Sequence, residues 1–167
     1  MTGPRLWGAR LWGPRSRDIL ILALLGMALD QGFKLWMLFG YDIAARGRVA
    51  LTPFFDLVMV WNYGVSYGLF QQDGDLGRWL LVAVTLVIST VFWVWGAASP
   101  HRLTAIAFGL VLAGALGNGI DRVVYGAVAD FFHFHVGDFS WYVFNLADVW
   151  IVAGVALLLY DSFRKRP

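Results

Sequence analysis

Residues 114–148, GALGNGIDRVVYGAVADFFHFHVGDFSWYVFNLAD, decide how the rest of this chain is read. They hold four carboxylates, Asp121, Asp130, Asp138 and Asp148, together with Asn118, Arg122 and Asn145. Apolar runs long enough to enter a bilayer lie on both sides. Ionisable groups at the mouth of a membrane bundle are costly to keep there, which makes them candidates for function.

Just before this stretch, residues 103–121 form a span in which Ala105, Gly109, Ala113 and Gly117 recur every four positions. Small residues at that spacing build a ridge that lets another helix approach closely. The ridge turns the helix inward, so Asn118 and Asp121 at its end face protein rather than lipid. Just after it, residues 144–160 are a short fourth span. Residues 79–98 are uninterrupted and apolar, the clearest span, joined to the third by Ser99-Pro100-His101-Arg102. Residues 19–39 are the first, interrupted by Asp30, Gln31 and Lys34. Asp30 and Lys34 stand four apart on one helical face and can pair, most simply as a structural contact within the bundle.

Two segments do not span. Residues 40–78 are rich in glycine and aromatics, with short strands expected at 49–51 and 57–63 and a loop at Asp73-Gly74-Asp75-Leu76-Gly77. Residues 65–70 fit an interfacial piece equally well. Residues 122–143 return to an aqueous or interfacial setting, with Gly137-Asp138 as a turn. The expected architecture is an all-α polytopic membrane protein, a single domain over 1–167.

Composition agrees. Apolar residues make up 59% of the chain and charged residues 14%, too hydrophobic a balance for an ordinary soluble globule. The basic residues flank the apolar runs, so they describe topology rather than a nucleic-acid surface. Arg5, Arg10, Arg15, Arg17, Arg102, Arg164, Lys165 and Arg166 fall on one side, against Arg46, Arg48, Arg78 and Arg122 on the other. The positive-inside bias puts both termini in the cytoplasm and the acidic stretch at the outer face. The basic leader is followed by further spans, not by a small-residue cleavage site and a soluble domain, so the first helix is read as retained. There is no cysteine, which excludes disulfides, thiolate metal sites and cysteine nucleophiles.

Asn145 and Asp148 stand at i and i+3, as do Asn118 and Asp121, at helix ends that share one side of the membrane. Folding can therefore bring Asp130 and Asp148 together. Two close carboxylates in a poorly solvated site cannot both ionise easily, and the pair then titrates as a unit. Such a pair suits peptide hydrolysis, one partner taking a proton from water while the other polarises the carbonyl. Spacing alone leaves structural ion pairing and catalysis equally open.

GNGIDR, VADF and FNLAD, in that order, with LDQGFKLW in the first span and WNYGVSYG in the outer segment, resemble the lipoprotein signal peptidase (signal peptidase II) family. The resemblance runs through nearly the whole chain. It implies a four-helix bundle with a small extracytoplasmic β-cradle and a mobile surface helix, in the bacterial cytoplasmic (inner) membrane. It implies an aspartyl endopeptidase that cuts on the amino side of the lipidated cysteine of diacylglyceryl-modified prolipoproteins. The catalytic pair falls on Asp130 and Asp148, with support from Asn118, Asp121, Arg122 and Asn145, and from Asn62 and Asp30 further out. No cofactor and no nucleic acid is implied, the membrane lipid is the surrounding partner, and the expected unit is a monomer. Three departures stand out. Asn62-Tyr63-Gly64-Val65-Ser66-Tyr67 replaces a usual Asn-Thr-Gly-Ala-Ala-Phe, Ala129 a usual Val, and Val149 a usual Ser.

Arg122 is expected to pair with Asp121, with Asp148 or a substrate carbonyl as alternatives. His133 and His135 alternate on a strand and share a face, but a metal site needs a third ligand. His101 lies across the membrane, so no metal is expected. A transporter or channel would spread its acids through the bilayer depth, whereas these gather at one boundary. A scaffold would tolerate loss of either Asp130 or Asp148, and a zinc peptidase would stop when chelated.

Overall fold

The structure, a computed structural model, describes residues 11–64 and 75–163. Four helices in it are long and apolar enough to cross a membrane: α1, Ser16–Leu35, which runs on as a π-helical turn to Gly40; α3, Asp75–Ala98; α4, Arg102–Tyr125; and α5, Leu146–Phe163. Even α5, with 18 residues, rises about 27 Å, close to the thickness of the hydrocarbon layer. All four expected spans are present. Each runs three or four residues past its apolar run at one end, because polar and charged residues such as Asp75 and Arg122 continue the helix past its greasy middle; Asp75-Leu76-Gly77, expected in a loop, is the first turn of α3.

The centre of the bundle is α4, which packs on α1, α3 and α5. Its small residues set the approach distances. A methyl group built on Gly109 would sit 3.0 Å from the Leu22 side chain, and one on Gly26 of α1 would sit 2.7 Å from Ala113 Cβ. On the α5 side, a methyl on Gly154 would meet the Ala107 carbonyl at 2.7 Å. Apolar side chains on the outside of the bundle, such as Leu20, Leu24, Val87 and Leu159, are exposed, as a bilayer surface requires.

Beyond the π turn, Asp42 adopts a left-handed conformation (φ 53°) and caps the four-residue surface helix α2, Ile43–Arg46. The chain then enters a four-stranded antiparallel sheet, in the order β1 (Val49–Thr52), β2 (Phe55–Asn62), β3 (Val128–Val136) and β4 (Phe139–Ser140). The β3–β4 turn is the expected one, with Gly137 at φ 57°. Met37, Ile43, Leu57, Ala129 and Phe131 form a buried cluster that anchors the sheet to the end of α1. Residues 65–70, read as an interfacial piece, lie outside the described residues, as do the first ten residues and the basic tail.

One irregularity matters for everything below. Asp56 pairs with His133 and Leu57 with Phe132, but Val60 pairs with Asp130 and Asn62 with Val128. The register slips by one between Leu57 and Val60. A slip of one residue exchanges the faces of a strand. Asp56 and Asn62 have the same parity on β2, yet Asp56 shares a face with His133, and Asn62 shares the opposite face with Asp130.

Candidate active site

Two local devices bring the acids together. At the start of α5, the Asn145 side chain accepts from the Asp148 backbone N–H at 3.1 Å, and the Asp148 carboxylate accepts from the Asn145 N–H at 3.0 Å. This reciprocal cap satisfies two otherwise orphan donors and fixes the Asp148 side chain at the helix mouth. Just before it, Phe144 is docked on β3, its N–H donating to Phe132 O at 3.0 Å and its carbonyl accepting from Phe131 N and Phe132 N. That clasp sets Asn145 beside Asp130.

Asn145 is completely buried and serves both carboxylates: its side-chain amide donates to Asp130 Oδ1 at 2.6 Å while its backbone holds Asp148. Asn118 donates to Asp148 Oδ1 at 2.9 Å, and Asn62 donates to Asp130 Oδ2 at 3.1 Å. Asn62 therefore touches Asp130 directly, closer than the sequence reading placed it, and the slipped register is what turns it there. Burial and then the negative charge of Asp148 push the Asp130 carboxyl up to about 7, against the opposing effect of the Asn62 and Asn145 hydrogen bonds.

Behind the pair lies a second set of acids. Lys34 Nζ reaches Asp30 at 2.9 Å, Asp121 at 2.8 Å and Asn118 Oδ1 at 3.0 Å. Gln31 donates to Asp121 Oδ1 at 2.9 Å and to Gly117 O at 3.1 Å. The remaining lone pairs take backbone amides: Asp30 accepts from Ala147 N at 2.9 Å and Asp121 from Ala129 N at 3.1 Å. The pairing of Asp30 with Lys34 is thus as expected. The ion pair expected between Asp121 and Arg122 is not formed, because consecutive residues on a helix do not face one another. Asp121 points to α1, while Arg122 donates to Asn118 O at 3.3 Å and Gly64 O at 2.9 Å. Sequence reading missed Lys34 as the partner of Asp121, across 87 positions, and missed Gln31. Asp138 lies in the exposed β3–β4 turn, away from this network.

Arg122 Nε is buried and has no hydrogen-bond partner among the described residues. The residue itself lines a cavity of about 390 Å³ between α3, α4 and α5, whose polar end is formed by Asn62, Asn118, Arg122 and Asp148. The remainder, with Leu81, Val84, Ile88, Phe92 and Val155, is apolar. One end of the groove can hold a polar backbone and the other a hydrophobic chain.

Comparison with known proteins adds an independent line. The family described as Signal peptidase (SPase) II matches residues 22–164. The lipoprotein signal peptidase of Methylorubrum extorquens is 56% identical over 151 residues, covering 90% of this chain and 88% of that protein. The lipoprotein signal peptidase of Nitrobacter hamburgensis is 51% identical over 155 residues, covering 90% and 94%. A solved structure described as a bacterial membrane enzyme determined by the in meso method superposes with a TM-score of 0.74 at 25% identity, over 90% of this chain and 92% of that one.

Proposed function

The chain belongs to the signal peptidase II family, and from that premise we propose that it uses Asp130 and Asp148 to cleave prolipoproteins on the amino side of a diacylglyceryl-modified cysteine. It is a lipoprotein signal peptidase of the bacterial inner membrane. In the orientation we favour, both termini are cytoplasmic and the sheet end of the bundle faces outward, following the basic residues.

The observation that carries the mechanism is Asn145 held between the two acids, with donors to each and, among the described residues, no cation bonded to either carboxylate. A raised Asp130 keeps one proton on the pair near neutral pH. Water between the carboxylates gives a proton to the ionised partner as its oxygen adds to the scissile carbonyl. The protonated partner hydrogen-bonds the carbonyl oxygen and stabilises the negative charge that develops there. Collapse of the tetrahedral species then breaks the C–N bond, the new amino group leaving with a proton from the pair. Arg122, at the polar end of the groove, is placed to orient a substrate carbonyl there. The apolar lining receives the hydrophobic signal segment or acyl chains, so that a lipid-anchored substrate keeps its greasy part in the bilayer.

The test is cleavage of a diacylglyceryl-modified precursor in lipid or detergent by Asp130→Asn and Asp148→Asn, each checked for an unchanged elution profile and melting. Each variant is expected to lose turnover by on the order of 10⁴-fold. Normal turnover by both would remove the mechanism and leave only the family and the topology.

A further inference from the structure

The third ligand that the sequence lacked for His133 and His135 is Asp56. The slipped register places Asp56 directly opposite His133 across β2 and β3, on the face turned away from Asp130. The two imidazoles stack with ring centroids 5.2 Å apart, and one donor atom from each of the three residues lies within 4.8 Å of the others. Asp56 is 1% exposed. Its Oδ2 gathers His135 Nε2 at 2.8 Å, His133 Nδ1 at 3.5 Å and Arg48 Nε at 2.7 Å, with Arg48 Nη2 also against it.

The hydrogen bonding in this cluster does not close. His135 Nε2 sits 2.8 Å from a carboxylate oxygen, an acceptor, and 3.2 Å from Arg48 Nη2, a donor. Protonated, that nitrogen opposes the guanidinium; unprotonated, its lone pair opposes the carboxylate. His133 Nε2 is 2.7 Å from Ser140 Oγ and its Nδ1 faces Asp56 Oδ2 at 3.5 Å, so the ring bridges the serine and the carboxylate. Two imidazole nitrogens and a carboxylate oxygen thus converge where the guanidinium now supplies the positive charge.

We propose that Asp56, His133 and His135 bind a divalent transition-metal ion of the zinc class, which displaces the Arg48 guanidinium and ties β2 to β3. The donor set is two neutral imidazoles and one carboxylate, with a fourth position open to water. Donors around such an ion lie roughly 3.3 Å apart, so the histidine–carboxylate separations already fit and only the two imidazoles have to converge. With an ion on Nδ1, His133 Nε2–H donates to Ser140 Oγ, the role of an outer hydrogen-bond partner at a metal-bound histidine. The ion lies on the opposite face of the strand from the acid pair and takes no part in hydrolysis.

The experiment is titration of the purified full chain, carrying no histidine tag, with Co²⁺ as the spectroscopic probe and Zn²⁺ as its competitor. One Co²⁺ per chain is expected, with visible ligand-field absorption that Zn²⁺ abolishes. His133→Gln and His135→Gln are expected to weaken binding by on the order of 100-fold, and Ser140→Ala by roughly 10-fold. Arg48→Ala, which removes the internal competitor, is expected to tighten it. Absence of saturable Co²⁺ binding in the wild type, or unchanged binding in both histidine variants at unaltered melting, would overturn the proposal.

Discussion

The molecule keeps two sets of buried acids within a few ångströms of each other and treats them in opposite ways. Asp30 and Asp121 share Lys34, and Gln31 and two backbone amides complete their hydrogen bonds. Among the described residues, Asp130 and Asp148 receive only neutral donors, from Asn62, Asn118 and Asn145. Asn118 sits at the junction, its carbonyl on Lys34 and its amide on Asp148. Neutral donors orient a carboxylate without cancelling its charge, whereas a buried ammonium neutralises it and locks it. The first set is therefore built to hold helices together, and the second to keep a proton available.

That contrast breaks most sharply at Lys34. Lys34→Met leaves two buried carboxylates without a cation and is expected to cost about 3–5 kcal/mol, read as a lower melting temperature in detergent. Asp130→Asn and Asp148→Asn should instead lose turnover at near-normal melting. If Lys34→Met melted normally, or if the asparagine variants unfolded, the division between a holding set and a working set would be wrong.

A smaller effect sharpens the comparison at Gly117, where α4 touches the holding set. A methyl group there would lie 2.6 Å from Asp30 Oδ2, pressing that carboxylate off Lys34 or α1 off α4. Gly117→Ala is expected to destabilise by about 1–3 kcal/mol. Gly119→Ala, whose methyl would meet only Thr85 Cγ2 at 3.4 Å, serves as the control and should melt like the wild type. Equal behaviour of the two would mean that the small-residue ridge does not depend on the Asp30 contact.

Much of this was legible in the residues. The four apolar runs, the small ridge on α4, the Gly137 turn and the pairing of Asp30 with Lys34 follow from local spacing. The i, i+3 relation of Asn145 and Asp148 marked what proved to be a reciprocal helix cap. Contacts that depend on tertiary geometry were out of reach. Asp121 turns to Lys34 instead of Arg122 because of the way α4 rotates against α1. The one-residue slip between Leu57 and Val60 leaves no mark in FDLVMVWN, yet it puts Asn62 on Asp130 and Asp56 on the histidines. Asp56 was overlooked as a ligand for the same reason, being a single acid inside an apolar strand.

The finest test concerns the proton itself and falls on Asn62. Its amide favours the ionised form of Asp130, so removing it should raise Asp130 further above about 7. If the reaction needs one protonated carboxyl, kcat/KM falls as pH climbs through that value, and in Asn62→Ala the alkaline limb moves to higher pH, by roughly a unit or less. Stability has its own sign. The folded value lies above the ordinary 3.8, so the contribution of Asp130 is most favourable when protonated and declines as pH rises from about 4 through 7. At Asp56 the sign is reversed: burial opposes ionisation, but Arg48, His135 and His133 together hold its carboxyl below the usual range, and that stabilisation is lost as pH falls through the lowered value. A shift of the alkaline limb to lower pH in Asn62→Ala would mean that this amide stabilises the protonated carboxyl instead. The donor assignment at Asp130, and with it the contrast between the two acid sets, would then have to be reversed.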